Sequence, residues 1–310
     1  MKILVTGGAG FIGSHVTKIL LDQGHKVVVL DNLSASQKDA VDKRAELIVG
    51  DIKDPVQSRK VLKGADAVIH MAGLIIVPES VKDPIKYCEN NVIGTVAFLE
   101  SMRKENVKKI IFSSSACVYG NPQELPIKED APVNPDNPYG ASKASIEAFL
   151  QSYHAVFGFD VVILRYFNPY GPGEIHDPET HAIPNFIKAT LAKKPMPLYW
   201  KGEQIRDFIY IEDLARAHVD VLPLSGFEIF NIGCEKGVKV KDVVDEIFKI
   251  AGYKVPIDDL GKRAGDVPAN YASSEKLKKG CRLESQSRIA RRPAPNCRLL
   301  QKCSLGLDNK

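Results

Sequence analysis

What this sequence lacks already excludes several classes of protein. It has no run of 18 apolar residues and no secretory signal before its first apolar run, so we expect a cytoplasmic protein with no membrane partner. Its six cysteines include no CxxC pair, which predicts free thiols. We therefore expect no bound metal.

Most of the chain also lacks an excess of charge of either sign. The formal net charge is +4, but residues 281–310 carry five Arg and two Lys against one Glu and one Asp, a balance of +5. Residues 1–280 therefore sum to −1, and the basic total does not predict a nucleic-acid partner. The same segment holds three of the six cysteines and shows no helical or strand period, so we predict a disordered or frame-shifted tail.

A glycine-rich turn follows the first apolar run. Gly7, Gly10 and Gly13 stand between that strand-like run and a helical period that begins at Phe11. In a dinucleotide fingerprint, such glycines let the backbone approach a pyrophosphate at a helix N-terminus. A second apolar run ends at Asp31, whose carboxylate can accept both adenine-ribose hydroxyls and would repel a 2′-phosphate. The sequence therefore predicts NAD as the cofactor.

Alternating apolar runs and helical periods predict the fold. The predicted strands are 2–6, 26–30, 46–49, 66–70, 108–113 and 160–165, and the predicted helices are 11–23, 55–63, 84–105 and 138–157. This order indicates an α/β protein with a Rossmann-type, doubly wound parallel sheet. The less regular remainder contains predicted helices at 182–193 and 239–251 and a strand at 227–231.

The two patterns predict how the chain is divided. We expect an NAD-binding domain over residues 1–165, a smaller mixed α/β lobe for the substrate over 166–280 that is interleaved with the first, and the atypical segment 281–310. Ligands of such sheets bind at the carboxyl ends of the strands.

A Tyr–Lys pair supplies the predicted chemistry. Tyr139 and Lys143 are four residues apart and share a helix face. The ammonium favours the phenolate, which lowers a pKa that is about 10 in free Tyr and predicts a general base near neutral pH. Ser115, farther upstream, can hydrogen-bond the oxygen that loses its proton.

Together these motifs resemble the extended short-chain dehydrogenase/reductase family over residues 1 to about 280. The motifs that carry the resemblance are Thr6–Gly13, Asp31–Ser34, His70–Leu74, Glu79–Val81, Asn90–Thr95, Ser113–Gly120, Tyr139 with Lys143, Arg165–Pro169, Arg206–Tyr210 and Arg263–Val267. The resemblance also implies a homodimer formed through helices 84–105 and 138–157.

The resemblance implies two sets of binding residues. NAD contacts would come from Gly7, Gly10, Phe11, Ile12, Gly13, Asp31, Asn32, Ser34, Asp51, Ile52, Met71, Ala72, Gly73, Asn90, Ser113, Tyr139, Lys143 and Phe167. A nucleotide sugar would contact Ser115, Tyr139, Asn168, His181, Arg206, Arg263, Asp266 and Asn270. The planar fork of an arginine pairs bidentately with phosphate oxygens, which suits Arg206 and Arg263 to a diphosphate.

The implied activity is inversion at C4 of a UDP-hexose, either UDP-glucose or UDP-galactose. Tyr139 would take the proton of the 4-hydroxyl while the C4 hydride passes to the nicotinamide, and Ser115 would hold the reacting oxygen. The 4-keto sugar would then turn about its phosphate link before the hydride returns to its other face. Relatives that dehydrate the sugar carry an acid after the catalytic serine, where this chain has Ala116 and Cys117, so we do not expect dehydration.

Two alternatives stay open at this point. Relatives that epimerise C3 and C5 of GDP-sugars have a Cys and a His where this chain has Cys117 and His181, and a thiol–imidazole pair could move protons beside a 4-ketone. In a second interpretation, Cys117 is a small buried thiol at a position where C4-epimerising relatives have Thr, and His181 stands at the start of a helix. The motifs at 70–95 and Asp31 favour this second interpretation. The other alternative is a non-catalytic NAD-binding sensor or scaffold, against which the complete Ser–Tyr–Lys set argues.

Two departures from the family pattern complete the sequence picture. Asn270 occupies the position that tunes the space around the sugar, which raises the hypothesis that N-acetylated sugars are accepted. After Gly280 the family continues with a Gly-Trp turn and a final amphipathic helix, where this chain reads Cys281-Arg282-Leu283-Glu284.

Overall fold

The computed structural model of the chain describes residues 1–174, 181–262 and 266–280. Its strands are β1 (Lys2–Thr6), β2 (Lys26–Asp31), β3 (Glu46–Val49), β4 (Ala67–His70), β5 (Lys109–Ser115), β6 (Asp160–Tyr166), β7 (Asn168–Tyr170), β8 (Met196–Leu198), β9 (Ile205–Tyr210), β10 (Phe227–Ile232), β11 (Gly237–Lys239), β12 (Ile257–Asp259) and β13 (Ala269–Asn270). Its helices are α1 (Phe11–Asp22), α2 (Pro55–Leu62), α3 (Val77–Lys82), α4 (Pro84–Tyr87), α5 (Gly94–Lys104), α6 (Pro138–Phe157), α7 (Ala182–Leu191), α8 (Ile211–Asp220), α9 (Val240–Ala251) and α10 (Glu275–Gly280). Arg263 and the segment 281–310 lie outside the described residues.

Seven parallel strands form the central sheet in the order β10-β6-β5-β4-β1-β2-β3. The predicted strands are present within two residues of their expected bounds, and the predicted Rossmann-type α/β fold is confirmed. The reversal of strand order between β1 and β4 creates the crevice in which ligands of such sheets bind.

Both faces of the sheet are covered, which explains why its strands are continuous apolar runs. Ile3 and Val5 of β1 pack with α1 and α8 in one cluster, whereas Leu4 between them packs with α5 and α6 in the other. Adjacent residues of one strand therefore serve opposite layers of the core.

The segment after residue 166 is divided between the two parts of the molecule. β10 pairs with β6 at the edge of the main sheet, and α8 packs on α1. The remaining strands build two smaller sheets. In the four-stranded sheet, β7, β11 and β13 each pair with β9, and β8 and β12 form a two-stranded sheet. No helix among the described residues is long and apolar enough to cross a membrane.

The predicted single helix over 84–105 is wrong in one respect, because a π-helical turn at Cys88–Ile93 separates α4 from α5. A π turn accommodates an extra residue and commonly marks a functional site. Here it accompanies the inward placement of Asn91, of which only 2% is exposed. Helical periodicity alone does not reveal such a local insertion.

A buried histidine makes the fold sensitive to acid. His70, at the end of β4, is fully buried between Thr6 and Thr95, whose hydroxyls lie 2.7 and 2.9 Å from its two ring nitrogens. Burial, together with the charge of Lys143, lowers the pKa of His70 to about 3. In the unfolded chain His70 binds a proton near pH 6.5, whereas in the folded chain it stays neutral down to about pH 3. The free energy of unfolding therefore decreases as pH falls from about 6.5 towards 3.

We predict that His70→Asn reduces this acid sensitivity. Between about pH 7 and pH 5, the unfolding free energy of the parent chain should fall by about 2 kcal/mol more than that of the variant. Urea denaturation of both proteins at the two pH values measures the difference. Parallel losses of stability in the two proteins would contradict a neutral, buried His70.

Candidate active site

The glycine turn leaves no room for side chains where its backbone comes closest to neighbouring backbone. Gly7 has a φ of +70°, and a Cβ on it would lie 2.7 Å from the backbone nitrogen of Ala72. A Cβ on Gly13 would lie 2.2 Å from the carbonyl oxygen of Gly7. The turn therefore brings β1, the loop after β4 and the N-terminus of α1 together, which is the geometry that cradles a pyrophosphate.

Asp31 joins the glycine turn to the loop that follows β2. Its Oδ2 accepts the backbone N–H of Ala9 at 3.0 Å, and its Oδ1 accepts the N–H of Leu33 at 2.9 Å and the hydroxyl of Ser36 at 2.8 Å. These bonds hold the carboxylate at the carboxyl edge of the sheet, where an adenine ribose would approach in a fold of this kind.

The neighbouring loops complete this side of the crevice. Asn32 accepts the N–H of Ser34 at 3.0 Å and donates to Asp51 Oδ2 at 3.4 Å. Ile52 is buried, and its carbonyl accepts the hydroxyl of Ser58. Asn32, Ser34, Asp51 and Ile52 therefore lie near Asp31, and their contacts with the cofactor stay a prediction from the sequence.

Asn91 joins the loop after β4 to helix α6. Its Oδ1 accepts the N–H of Leu74 at 2.8 Å, and its Nδ2 donates to the carbonyl of Leu74 at 3.0 Å and to the hydroxyl of Ser142 at 3.1 Å. Sequence reasoning selected Asn90, whose amide donates to Asn91 Oδ1 at 3.0 Å, and assigned no role to Asn91. The doubled asparagine was the available signal.

The N-terminus of α6 is pressed against the end of β5. Asn137 caps it by accepting the N–H of Gly140 at 2.9 Å, and Ser80 accepts the N–H of Tyr139 at 3.1 Å. A Cβ on Gly140 would lie 2.4 Å from the carbonyl oxygen of Cys117. This contact brings Tyr139 close to Ser115, whose hydroxyl acts to lower the pKa of the phenol.

Lys143 is buried one turn farther along the helix. Its ammonium donates to the carbonyl of Ser113 at 2.6 Å and lies 4.9 Å from the centre of the Phe112 ring. Burial lowers the pKa of Lys143 to about 8, although the carboxylate of Glu147 opposes this effect.

The sequence predicts a lowered pKa for Tyr139, and this prediction is wrong when only the protein's own groups act on the phenol. Burial, reinforced by nearby Cys117, raises the pKa of the phenol well above its ordinary value, and the effect of the Ser115 hydroxyl only partly offsets this. The Lys143 ammonium lies 6.0 Å from the centre of the phenol ring and is bonded to Ser113. A further positive charge beside the phenol would favour the phenolate.

Four of the residues predicted to bind the substrate lie on or beside β9. Asn168 donates to the carbonyl of Asp207 at 3.0 Å, Arg206 pairs with Asp266, and Asn270 lies beside Arg206 in the register of β13 and β9. Arg206 therefore makes its ion pair with Asp266 and not with the adjacent Asp207. The structure brings these predicted residues together, whereas Arg263 falls outside the described chain.

Asp207 is a second residue that sequence reasoning missed. Its buried carboxylate accepts the N–H groups of Cys234 at 2.7 Å, Glu235 at 3.2 Å and Ala272 at 3.0 Å. Burial raises its pKa to about 6 despite these bonds. It ties β9 to the segments on either side, and its place beside Arg206 in the motif was the only sequence signal.

Cys117 and His181 meet different partners. The backbone N–H of Cys117 donates to Ser115 Oγ at 3.2 Å, and burial raises the pKa of the Cys117 thiol, which is unfavourable for a thiolate that abstracts protons. His181 precedes α7, and its Nδ1 lies 2.9 Å from Glu174 Oε1. Phe167 is buried in one cluster with Ala116 and Tyr119.

Comparisons with known proteins agree with this geometry. The chain matches the NAD dependent epimerase/dehydratase family over residues 3–233. It is 39% identical over 292 residues to the UDP-glucose 4-epimerase of Corynebacterium glutamicum, covering 90% of this chain and 89% of that protein. Among solved structures, UDP-glucose 4-epimerase from Brucella ovis in complex with NAD has a TM-score of 0.86 at 39% identity, covering 90% of this chain and 92% of that one. UDP-N-acetylglucosamine 4-epimerase from Methanobrevibacter ruminantium M1 in complex with UDP-N-acetylmuramic acid has a TM-score of 0.87 at 33% identity, with coverages of 97% and 95%.

Proposed function

This chain belongs to the NAD-dependent epimerase/dehydratase family, and we propose that it is an isomerase that interconverts UDP-glucose and UDP-galactose by inverting C4. The convergence of Ser115, Tyr139 and Lys143 at the edge of the sheet that carries the glycine turn supports this proposal most directly. The named relatives at similar identity support the choice of substrate.

The residues at the sheet edge fit NAD. The lack of side chains at Gly7 and Gly13 suits a pyrophosphate, the Asp31 carboxylate suits the adenine ribose, and the Lys143 ammonium suits the nicotinamide ribose. When bound, NAD accepts a hydride from C4 of the sugar and returns it. The remaining cofactor contacts predicted from the sequence stay part of the proposal.

The protein's own groups handle the proton. Tyr139 removes the proton of the 4-hydroxyl as the hydride leaves C4, and returns it after the sugar has turned over. Ser115 holds the reacting oxygen through its hydroxyl. Tyr139 and Lys143 are both almost fully buried, so bulk water has little access to either group.

The nucleotide diphosphate would lie against β9. Asn168, Arg206 and Asp266 line this region, and we propose that the Arg206 guanidinium exchanges part of its pairing with Asp266 for phosphate oxygens. Arg263 stays a predicted contact. The separate partners of Cys117 and His181 favour C4 inversion over the 3,5-epimerase alternative.

A second substrate class is supported by one observation. The buried amide oxygen of Asn270 has no hydrogen-bond partner among the described residues, so it is available to accept the N–H of an acetamido group. We propose that the enzyme also epimerises UDP-N-acetylhexosamines, in keeping with the similarity to a UDP-N-acetylglucosamine 4-epimerase.

We further propose a homodimer formed through α4, α5 and α6. The two charged residues of the 20-residue α6, Lys143 and Glu147, are both buried, so its exposed face carries no charge. That face instead presents Phe149 and Val156, which are 41% and 67% exposed. An uncharged apolar helix face of this kind is typical of an interface.

The cytoplasmic location stays a prediction from the sequence.

Tyr139→Phe should lower the rate of conversion of UDP-galactose to UDP-glucose by about 100-fold to 10,000-fold, because it removes the general base. Chromatographic separation of the two nucleotide sugars measures the rate. Tyr153→Phe on the same helix is the matched control: its hydroxyl donates to Glu100 at 2.6 Å, away from the site, and its loss should leave the rate within a few-fold. Equal rates for Tyr139→Phe and the parent chain would refute the assigned base.

Asn270→Tyr should reduce turnover of UDP-N-acetylgalactosamine by at least about 10-fold and retain turnover of UDP-galactose, because a larger side chain fills the space for the acetamido group. Competing kcat/KM measurements with the two substrates give this ratio. The hypothesis fails if the parent chain converts UDP-galactose and leaves UDP-N-acetylgalactosamine untouched.

Val156→Arg should convert the dimer to a monomer, because it places an unpaired charge in the apolar interface. Sedimentation equilibrium measures the mass. Val56→Arg, at a site that is 78% exposed on α2, is the matched control and should leave the dimer intact. A parent chain that is already monomeric at micromolar concentration would contradict the proposed interface.

A further inference from the structure

A buried ion pair lies beneath the catalytic residues and has no part in the chemistry described above. Arg165 of β6 donates from Nε to Glu147 Oε1 at 3.0 Å and from Nη2 to Oε2 at 2.7 Å. The two side chains are only 3% and 8% exposed. This bidentate pair is fully desolvated, and replacing such pairs by apolar residues of similar volume is often neutral or stabilising. Stability alone therefore does not account for it.

Glu147 joins the catalytic helix to the catalytic strand. It follows Lys143 by one helical turn, and its Oε1 accepts the hydroxyl of Ser114 at 2.5 Å. Ser114 stands between Ser113, whose carbonyl binds Lys143, and Ser115. One carboxylate thus fixes the spacing between the element that carries the base and the element that carries the serine.

Arg165 extends the connection away from the helix. Its Nη1 donates to the hydroxyl of Tyr119 at 2.7 Å and to the carbonyl of Glu129 at 3.1 Å, and the guanidinium lies 4.8 Å from the centre of the Tyr119 ring. Tyr119 in turn donates to Asn231 Oδ1 at 2.7 Å.

The chain of bonds ends at the strand that borders the substrate. Asn231 donates to the carbonyl of Ile127 at 2.9 Å, and Ile127 donates its own N–H to the carbonyl of Tyr271 at 2.9 Å. Tyr271 directly follows Asn270 of β13. Hydrogen bonds therefore run without a gap from α6 to the segment beside the sugar.

We infer that Glu147 and Arg165 are positioning residues, which set the distance between Ser115 and the Tyr139–Lys143 pair and join that arrangement to β13. The inference rests on the proposed C4 epimerase activity. Small errors in such spacing are costly, since a displacement of about 1 Å can reduce a rate about 100-fold.

The first test is the double variant Glu147→Met with Arg165→Met, which removes both charges together. It should unfold at a urea concentration close to that of the parent chain, while kcat for UDP-galactose falls about 10-fold to 100-fold. The exposed pair Arg59 and Glu105, replaced in the same way, is the control and should leave kcat unchanged. A stable double variant with the parent kcat would overturn the inference.

Ser114→Ala tests the positioning role if the double variant does not fold. This variant removes one hydrogen bond to Glu147 and leaves no buried charge unpaired. It should lower kcat several-fold, with little change in KM, and a parent-like kcat would again count against the inference.

A second readout does not depend on turnover. In protein with ¹³C-labelled lysine, the pH at which Lys143 titrates should fall in the double variant, because the carboxylate that opposes its loss of charge is gone. If the parent chain does not convert UDP-galactose, the proposed function fails by itself. An unchanged Lys143 titration would then reject the coupling between Glu147 and Lys143.

Discussion

The burial of the Lys143 ammonium against the Ser113 carbonyl is the interaction on which the site depends. A buried charge must be hydrogen-bonded or paired, and this ammonium, which lies between helix α6 and strand β5, makes a hydrogen bond of 2.6 Å. The neighbouring residues leave space for the ammonium and compensate its charge. A Cβ on Gly73 would lie 3.9 Å from the ammonium and 3.3 Å from Asn91 Oδ1, and Asn91 fixes the loop that contains Gly73. The buried Glu147 supplies the nearest compensating charge.

The same burial shapes the acid–base chemistry. Desolvation disfavours the charged forms of both residues, so it raises the pKa of Tyr139 and lowers that of Lys143. The protein alone therefore favours a neutral phenol. An oxidised nicotinamide carries a positive charge, and its arrival near the phenol would favour the phenolate, which couples the activation of the base to the occupancy of the cofactor site.

Local patterns in the sequence predicted much of this arrangement. Apolar runs located the strands, and the glycine turn, Asp31 and the Tyr139–Lys143 pair follow from spacing within short segments. What the sequence missed depends on contacts between distant segments. The roles of Asn91 and Asp207 arise from partners 17 to 65 residues away, and the pKa of Tyr139 follows from a burial that no local pattern encodes. The π turn before α5 stays hidden because the residues on both sides have an ordinary helical period.

Inversion of C4 by removal and return of a hydride loses no carbon-bound hydrogen to solvent. The measurement that distinguishes it from proton exchange is the incubation of UDP-galactose with the protein in deuterium oxide, without added NAD. Nuclear magnetic resonance should show UDP-glucose with no deuterium at C3, C4 or C5. Deuterium at C3 or C5 would contradict hydride transfer and would point to proton abstraction by groups such as Cys117 and His181.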